Sequence, residues 1–99
     1  MRLFGRPALK EAEAVVRICN RLGMHARAAG KFRSLAAQYK CTIKVIRGRM
    51  EADAKSILGL MALGACKDCE LLIRAAGEDA EEAVSALAAL VENKFGEEE

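Results

Sequence analysis

The run Asn20-Arg21-Leu22-Gly23-Met24-His25-Ala26-Arg27-Ala28-Ala29-Gly30 joins two segments of different periodicity and holds the chain's one histidine. Before it, residues 14–19 read as a strand: Val16 and Ile18 point one way, Arg17 and Cys19 the other. After it, Ala29, Phe32, Leu35, Ala36 and Tyr39 recur at helical spacing over residues 26–39, with Lys31, Arg33, Ser34 and Gln38 between them. His25 therefore falls where a strand hands over to a helix. A helix start carries N–H groups without intrahelical partners and a partial positive charge, so it favours anions. Arg27 adds a permanent cation whose planar fork matches phosphate oxygens. An imidazole in this position is suited to holding a phosphoryl group, although a lone histidine at such a boundary also reads as an ordinary surface or capping residue.

Outward from this junction the chain keeps alternating. Residues 41–47 place Ile43 and Val45 on one face, a third strand over residues 49–52 can pair back across Gly48, and residues 70–76 set Leu71, Ile73 and Ala75 against Leu72 and Arg74. Ser56 precedes a short apolar segment that ends at Gly64, a two-turn helix with a good N-cap and a good stop. Asp79 and Glu82 have the spacing of a capping box before a last helix whose core face is Ala83, Val84, Leu87, Leu90 and Val91. The order β-α-β-β-α-β-α, with one apolar face per strand, predicts an α+β fold: a four-stranded, mostly antiparallel sheet with its helices on one side.

The chain has 99 residues, enough for one core. An apolar fraction of 53% with 30% charge is the balance of a folded globular protein. A net charge of +2 is too small to point to nucleic acid. No apolar run is long enough for a signal peptide or a membrane span, so a cytoplasmic protein is expected, without membrane insertion and with Cys19, Cys41, Cys66 and Cys69 as reduced thiols. Residues 1–13 read as a poorly ordered leader with a short helical turn near residues 8–12, residues 14–95 as the domain, and residues 96–99 as a solvated acidic tail.

Two motifs carry a resemblance. Leu22-Gly23-Met24-His25-Ala26-Arg27 resembles the active-site loop of HPr, the histidine-containing phosphocarrier family of the bacterial phosphoenolpyruvate-dependent sugar phosphotransferase system. Ala54-Lys55-Ser56-Ile57-Leu58-Gly59-Leu60-Met61-Ala62-Leu63-Gly64 resembles that family's second signature, and the separation of the two also matches. One position departs: the family usually has proline after the arginine, and here it is Ala28. Alanine leaves one more N–H at the helix start, so phosphate binding survives while loop rigidity is put in question. The resemblance implies an open-faced β-sandwich, strand order 1-4-2-3, with three helices covering one face. It implies His25 as the phosphohistidine, modified on the ring nitrogen nearer the backbone, and Arg27 as the phosphate clamp.

Ser56 is explained by capping alone; the resemblance adds regulation through a phosphoserine made by an HPr kinase/phosphorylase. Ile57, Leu58, Met61 and Ala62 cannot all face the sheet in so short a helix. The resemblance implies that this helix and the first one form a shared docking surface, comprising Ala26, Arg27, Gly30, Ile57, Leu58, Met61 and Ala62, with Leu58 and Met61 more exposed than their types suggest. Cys66 and Cys69 have C-x-x-C spacing, but there is no second pair, and they fall in a loop before a strand, so neither a metal nor a redox role is expected. No cofactor is expected either. The resemblance implies a phosphoryl-transfer intermediate, not a stand-alone catalyst: a monomer that accepts the group from enzyme I and passes it to enzyme IIA domains. A regulatory, nitrogen-related phosphorelay without sugar transport uses the same loop and stays open as the alternative.

Overall fold

The computed structural model describes residues 10–99. Four strands, β1 (Glu11–Arg17), β2 (Thr42–Arg47), β3 (Met50–Asp53) and β4 (Glu70–Ala76), form one antiparallel sheet in the order β1-β4-β2-β3. Three helices, α1 (Ala26–Ala36), α2 (Ile57–Ala62) and α3 (Ala80–Glu92), alternate with them in the expected order, and a 3₁₀ turn follows at Lys94–Gly96.

The sheet's two faces are set by the alternation of its strands. Val16, Ile43, Val45, Leu71, Ile73 and Ala75 are buried against the helices, while Val15, Lys44 and Arg74 lie on the open face. Of the two central strands, β4 contributes three alternating inward positions, Leu71, Ile73 and Ala75, and β2 contributes two, Ile43 and Val45. Phe32 from α1, Leu60 from α2 and Leu87 and Val91 from α3 complete that core, all without solvent contact. The β2–β3 hairpin turns at Gly48-Arg49, and Gly48 takes φ +59°, a conformation that favours glycine.

Four expectations need correction. The strand begins at Glu11, so residues 11–13 belong to the sheet and not to a leader: Glu11 pairs with Ala76 and Glu13 with Arg74. The partner strand runs on to Ala76, so backbone groups at 11–13 have a ladder to join, and Ala12 packs onto the core. The helical turn near residues 8–12 is replaced by this strand from Glu11 onward, and its first part lies outside the described residues. Asp79 makes no capping bond to α3. Its carboxylate instead accepts the backbone N–H groups of Lys40 (2.8 Å) and Cys41 (3.0 Å), and these bonds, Lys40's first, hold it below the usual carboxylate range. Residues 96–99 are not a free tail; Glu97 folds back onto the His25 loop.

Candidate functional site

The loop between β1 and α1 is held from below by the loop that precedes β4. Met24 donates its N–H to the Ala65 carbonyl at 2.9 Å, and the Met24 side chain is buried. Gly23 has φ +68°, and a Cβ there would stand 2.5 Å from the Ala65 oxygen. Glycine is thus required twice over, by backbone conformation and by the close approach. With Met24 fixed in this way, the next residue is delivered to the first turn of α1.

His25 is the N-cap of α1, extended at φ −76°, ψ 179°. Its carbonyl accepts the Ala29 N–H at 2.8 Å, and its Nδ1 accepts the Arg27 N–H at 3.3 Å. Nδ1 therefore presents a lone pair to the helix start. The other nitrogen, Nε2, lies 2.6 Å from Glu97 Oε2. An acceptor role for Nδ1 and a carboxylate beside Nε2 assign the ring proton to Nε2, which donates to Glu97. The ring is 23% exposed, so it is fixed but reachable.

Glu97 is the residue that sequence reasoning missed. Its side chain is only 14% exposed. Asn20 Nδ2 donates to its Oε1 at 3.0 Å, and to the Gly23 carbonyl at 2.9 Å, so one buried amide ties the C-terminal strap, residues 94–99, to the loop. The bond from Asn20, and next the one from His25, keep the Glu97 carboxyl below its ordinary range. The strap itself is anchored by Phe95, fully buried, whose carbonyl accepts Lys31 Nζ at 2.8 Å. Lys94, Phe95 and Gly96 all take left-handed φ, between +55° and +80°, which turns the chain sharply off the end of α3. Beyond it, Arg21 binds Glu99 through both backbone and side chain, the latter at 2.8 Å. No local signal in the sequence distinguished Glu97 from Glu98; the burial of Phe95, which anchors this segment, is a tertiary fact.

Arg27 is 68% exposed, with Nη1 3.9 Å from Glu97 Oε2. This long, solvated contact leaves the guanidinium free to reorient toward another anion. Ala28, the next residue, is fully buried and belongs to the hydrophobic core.

The second motif lies alongside. Ser56 caps α2, its Oγ accepting the Gly59 N–H at 3.0 Å. Leu60 turns into the core, leaving Leu58 81% and Met61 42% exposed, with Ile57 and Ala62 also at the surface. Arg33 of α1 reaches the Lys55 carbonyl at 3.3 Å, and a shallow groove lined by Arg27, Gly30, Arg33 and Ile57 runs between the helices. Ala26 is exposed and Gly30 has open space before it. The two motifs thus share one surface: an imidazole and a guanidinium at one side, an apolar patch at the other.

Residues 12–93 match the family described as the PTS HPr component phosphorylation site. The chain belongs to the HPr family. It is 39% identical over 89 residues to the phosphocarrier protein NPr of Shewanella violacea, covering 90% of this chain and 98% of the relative. It is 43% identical over 82 residues to the phosphocarrier protein HPr of Cupriavidus necator, covering 83% and 92%. Among solved structures, HPr-C-His from Thermoanaerobacter tengcongensis superposes with a TM-score of 0.85 at 40% identity, over 89% of this chain and 99% of that one. The open-faced sheet with strand order β1-β4-β2-β3 is the HPr fold. As an HPr-family protein the chain is a phosphocarrier of the phosphotransferase system.

Proposed function

We propose that His25 accepts a phosphoryl group on Nδ1 from phosphorylated enzyme I and passes it to a histidine of an enzyme IIA domain, in sugar uptake. The observation that carries this reading is the division of labour on the ring: Nε2 is occupied by Glu97, while Nδ1 holds a lone pair at the mouth of α1. As Nδ1 attacks, the N–P bond forms while the donor's bond to phosphorus breaks, and the ring gains positive charge. The Nε2 proton stays on the ring, and the Glu97 carboxylate offsets that charge. N–H groups of the first turn and the Arg27 guanidinium take the phosphoryl oxygens. Donor and acceptor dock in turn on the surface of Ala26, Arg27, Gly30, Ile57, Leu58, Met61 and Ala62. Such brief encounters suit a small patch on a monomeric protein. The reading places the protein in the cytoplasm; among the described residues no helix is long and apolar enough to cross a membrane.

The test is incubation with enzyme I and labelled phosphoenolpyruvate. Acid-labile label is expected on wild type, mapped to the His25 peptide, and none on a folded His25→Ala variant. Label on that variant would remove His25 from the reaction.

Regulation through Ser56 belongs to the same reading. Its Oγ already faces the start of α2, so a phosphate placed there by an HPr kinase/phosphorylase keeps an acceptor for the Gly59 N–H and sets charge beside Leu58. A second reading, a nitrogen-related regulatory phosphorelay, is favoured by the likeness to the Shewanella violacea NPr. Offering the phosphorylated protein a sugar-type and a nitrogen-type enzyme IIA together, and comparing transfer rates, separates the two.

A further inference from the structure

Cys66 and Cys69 lie outside the residues assigned to phosphoryl transfer. They are the first and last residues of a tight turn closed by the Cys69 N–H on the Cys66 carbonyl at 3.0 Å. Asp68 has φ +76°, so the third turn position takes the left-handed conformation of a type II turn. Such a turn brings its end Cα atoms within about 7 Å, and a disulfide spans up to about 6.8 Å. The two sulfurs are already 3.3 Å apart. Cys66 is exposed and Cys69 half-buried, and Arg47, anchored on the Leu63 carbonyl at 2.9 Å, supplies positive charge on that side. The other two thiols are poor competitors. Cys41 is buried and pushed up to about 11, mainly by that burial, and Cys19 is turned toward the carbonyls at the end of α3.

We propose that Cys66 and Cys69 form a reversible dithiol–disulfide site whose oxidant is a small-molecule disulfide of the glutathione type. Cys69, whose sulfur accepts the Cys66 N–H at 3.4 Å, acts first as thiolate. It attacks one sulfur of the small disulfide; a mixed disulfide forms, the original S–S bond breaks, and one small thiolate leaves. Cys66 then gives its proton to solvent and attacks Cys69 Sγ, which releases the second small thiolate. Two protein thiols are oxidised to one disulfide, and one small disulfide is reduced to two thiols. The sulfurs need close by only ~1.3 Å to reach bonding distance. The site lies on the loop that supports the His25 loop through the Ala65 carbonyl, but its chemistry does not depend on phosphoryl transfer.

The test treats wild-type protein with graded ratios of oxidised to reduced glutathione and follows intact mass, free thiols and the peptide map. The expected result is loss of two of the four thiols, a mass lower by two hydrogens, a Cys66–Cys69 link, and full return on adding reduced glutathione. Cys66→Ser is expected to stall as a glutathione adduct on Cys69. Wild type that ends as a stable glutathione adduct, that links through Cys19 or Cys41, or that keeps all four thiols at the most oxidising ratio overturns the proposal.

Discussion

The starts of α1 and α2 use their caps differently. At α2, Ser56 Oγ accepts an N–H from three residues on, at 3.0 Å, the ordinary geometry of a serine cap. At α1, the cap is an imidazole nitrogen that accepts from two residues on, at 3.3 Å, a longer and weaker bond. Ser56 commits its oxygen to the fold. His25 gives the fold little, and its other ring edge is held at 2.6 Å by a carboxylate 72 residues away. A cap atom bonded weakly to its own helix, in a ring fixed from elsewhere, keeps its lone pair for a ligand. The surroundings differ in the same sense: Arg27 stands beside the first start, while the exposed Leu58 and Met61 stand beside the second.

Five substitutions bear on this contrast, taken from the largest expected effect to the smallest. Arg27→Ala should slow phosphoryl transfer roughly 10- to 100-fold, the equivalent of one charge-assisted bond to phosphate. Its melting temperature should stay at the wild-type value because the side chain is exposed. Equal transfer rates with both enzyme I and enzyme IIA would show that the α1 start needs no cation.

Glu97→Gln should slow transfer by about fivefold, the difference between an ionic and a neutral acceptor at Nε2. The pH dependence has a definite sign. A carboxyl held below its usual range in the folded protein contributes fully above the unfolded value, and that contribution is lost as pH falls through the lowered folded value. In wild type, the Asn20 side-chain amide resonances should therefore stay constant down through the ordinary glutamate range and move only below it. In Glu97→Gln that movement should be absent. If both proteins titrate alike, the Asn20 amide is not bonded to the Glu97 carboxylate.

Ser56→Asp should lower the rate of phosphorylation by enzyme I a few-fold at low salt and less at high salt, because exposed charges are screened over about 8 Å at physiological ionic strength. Ser56→Asn keeps the cap without the charge and should transfer like wild type. An equal loss for asparagine would assign the effect to shape instead of charge. Ser56→Ala should leave transfer nearly unchanged and cost about 1 kcal/mol of stability, measured by urea unfolding. A larger loss of transfer than of stability would place Ser56 with His25 and end the contrast between the two caps.

Much of this was legible along the chain. The alternation Leu71, Ile73, Ala75 gave β4 its inward face, Ser56 announced the start of α2, and the periodicity from Ala29 to Ala36 gave α1. Leu58 and Met61 are exposed, as the family resemblance implied. The errors fell where one segment's conformation depends on a distant one. Asp79 and Glu82 had the spacing of a capping box, yet the backbone donors of Lys40 and Cys41 took the Asp79 carboxylate. The alternation is legible only from residue 14, yet β4 offers a ladder back to Glu11.

The sequence by itself determined the strand faces, the helix starts, the Gly23-Met24-His25 loop and the presence of Arg27 beside it. These depend on periods of two and 3.6 residues and on side chains that act within one turn. Only the tertiary structure decided that Glu97 and not Glu98 reaches His25, that Asn20 orients Glu97, and that Gly23 must be glycine because Ala65 lies against it. Phe95 had to be buried before the chain end could turn back over the loop, and a hydrogen bond across 72 residues acquires a definite geometry only once the core has fixed both of its ends.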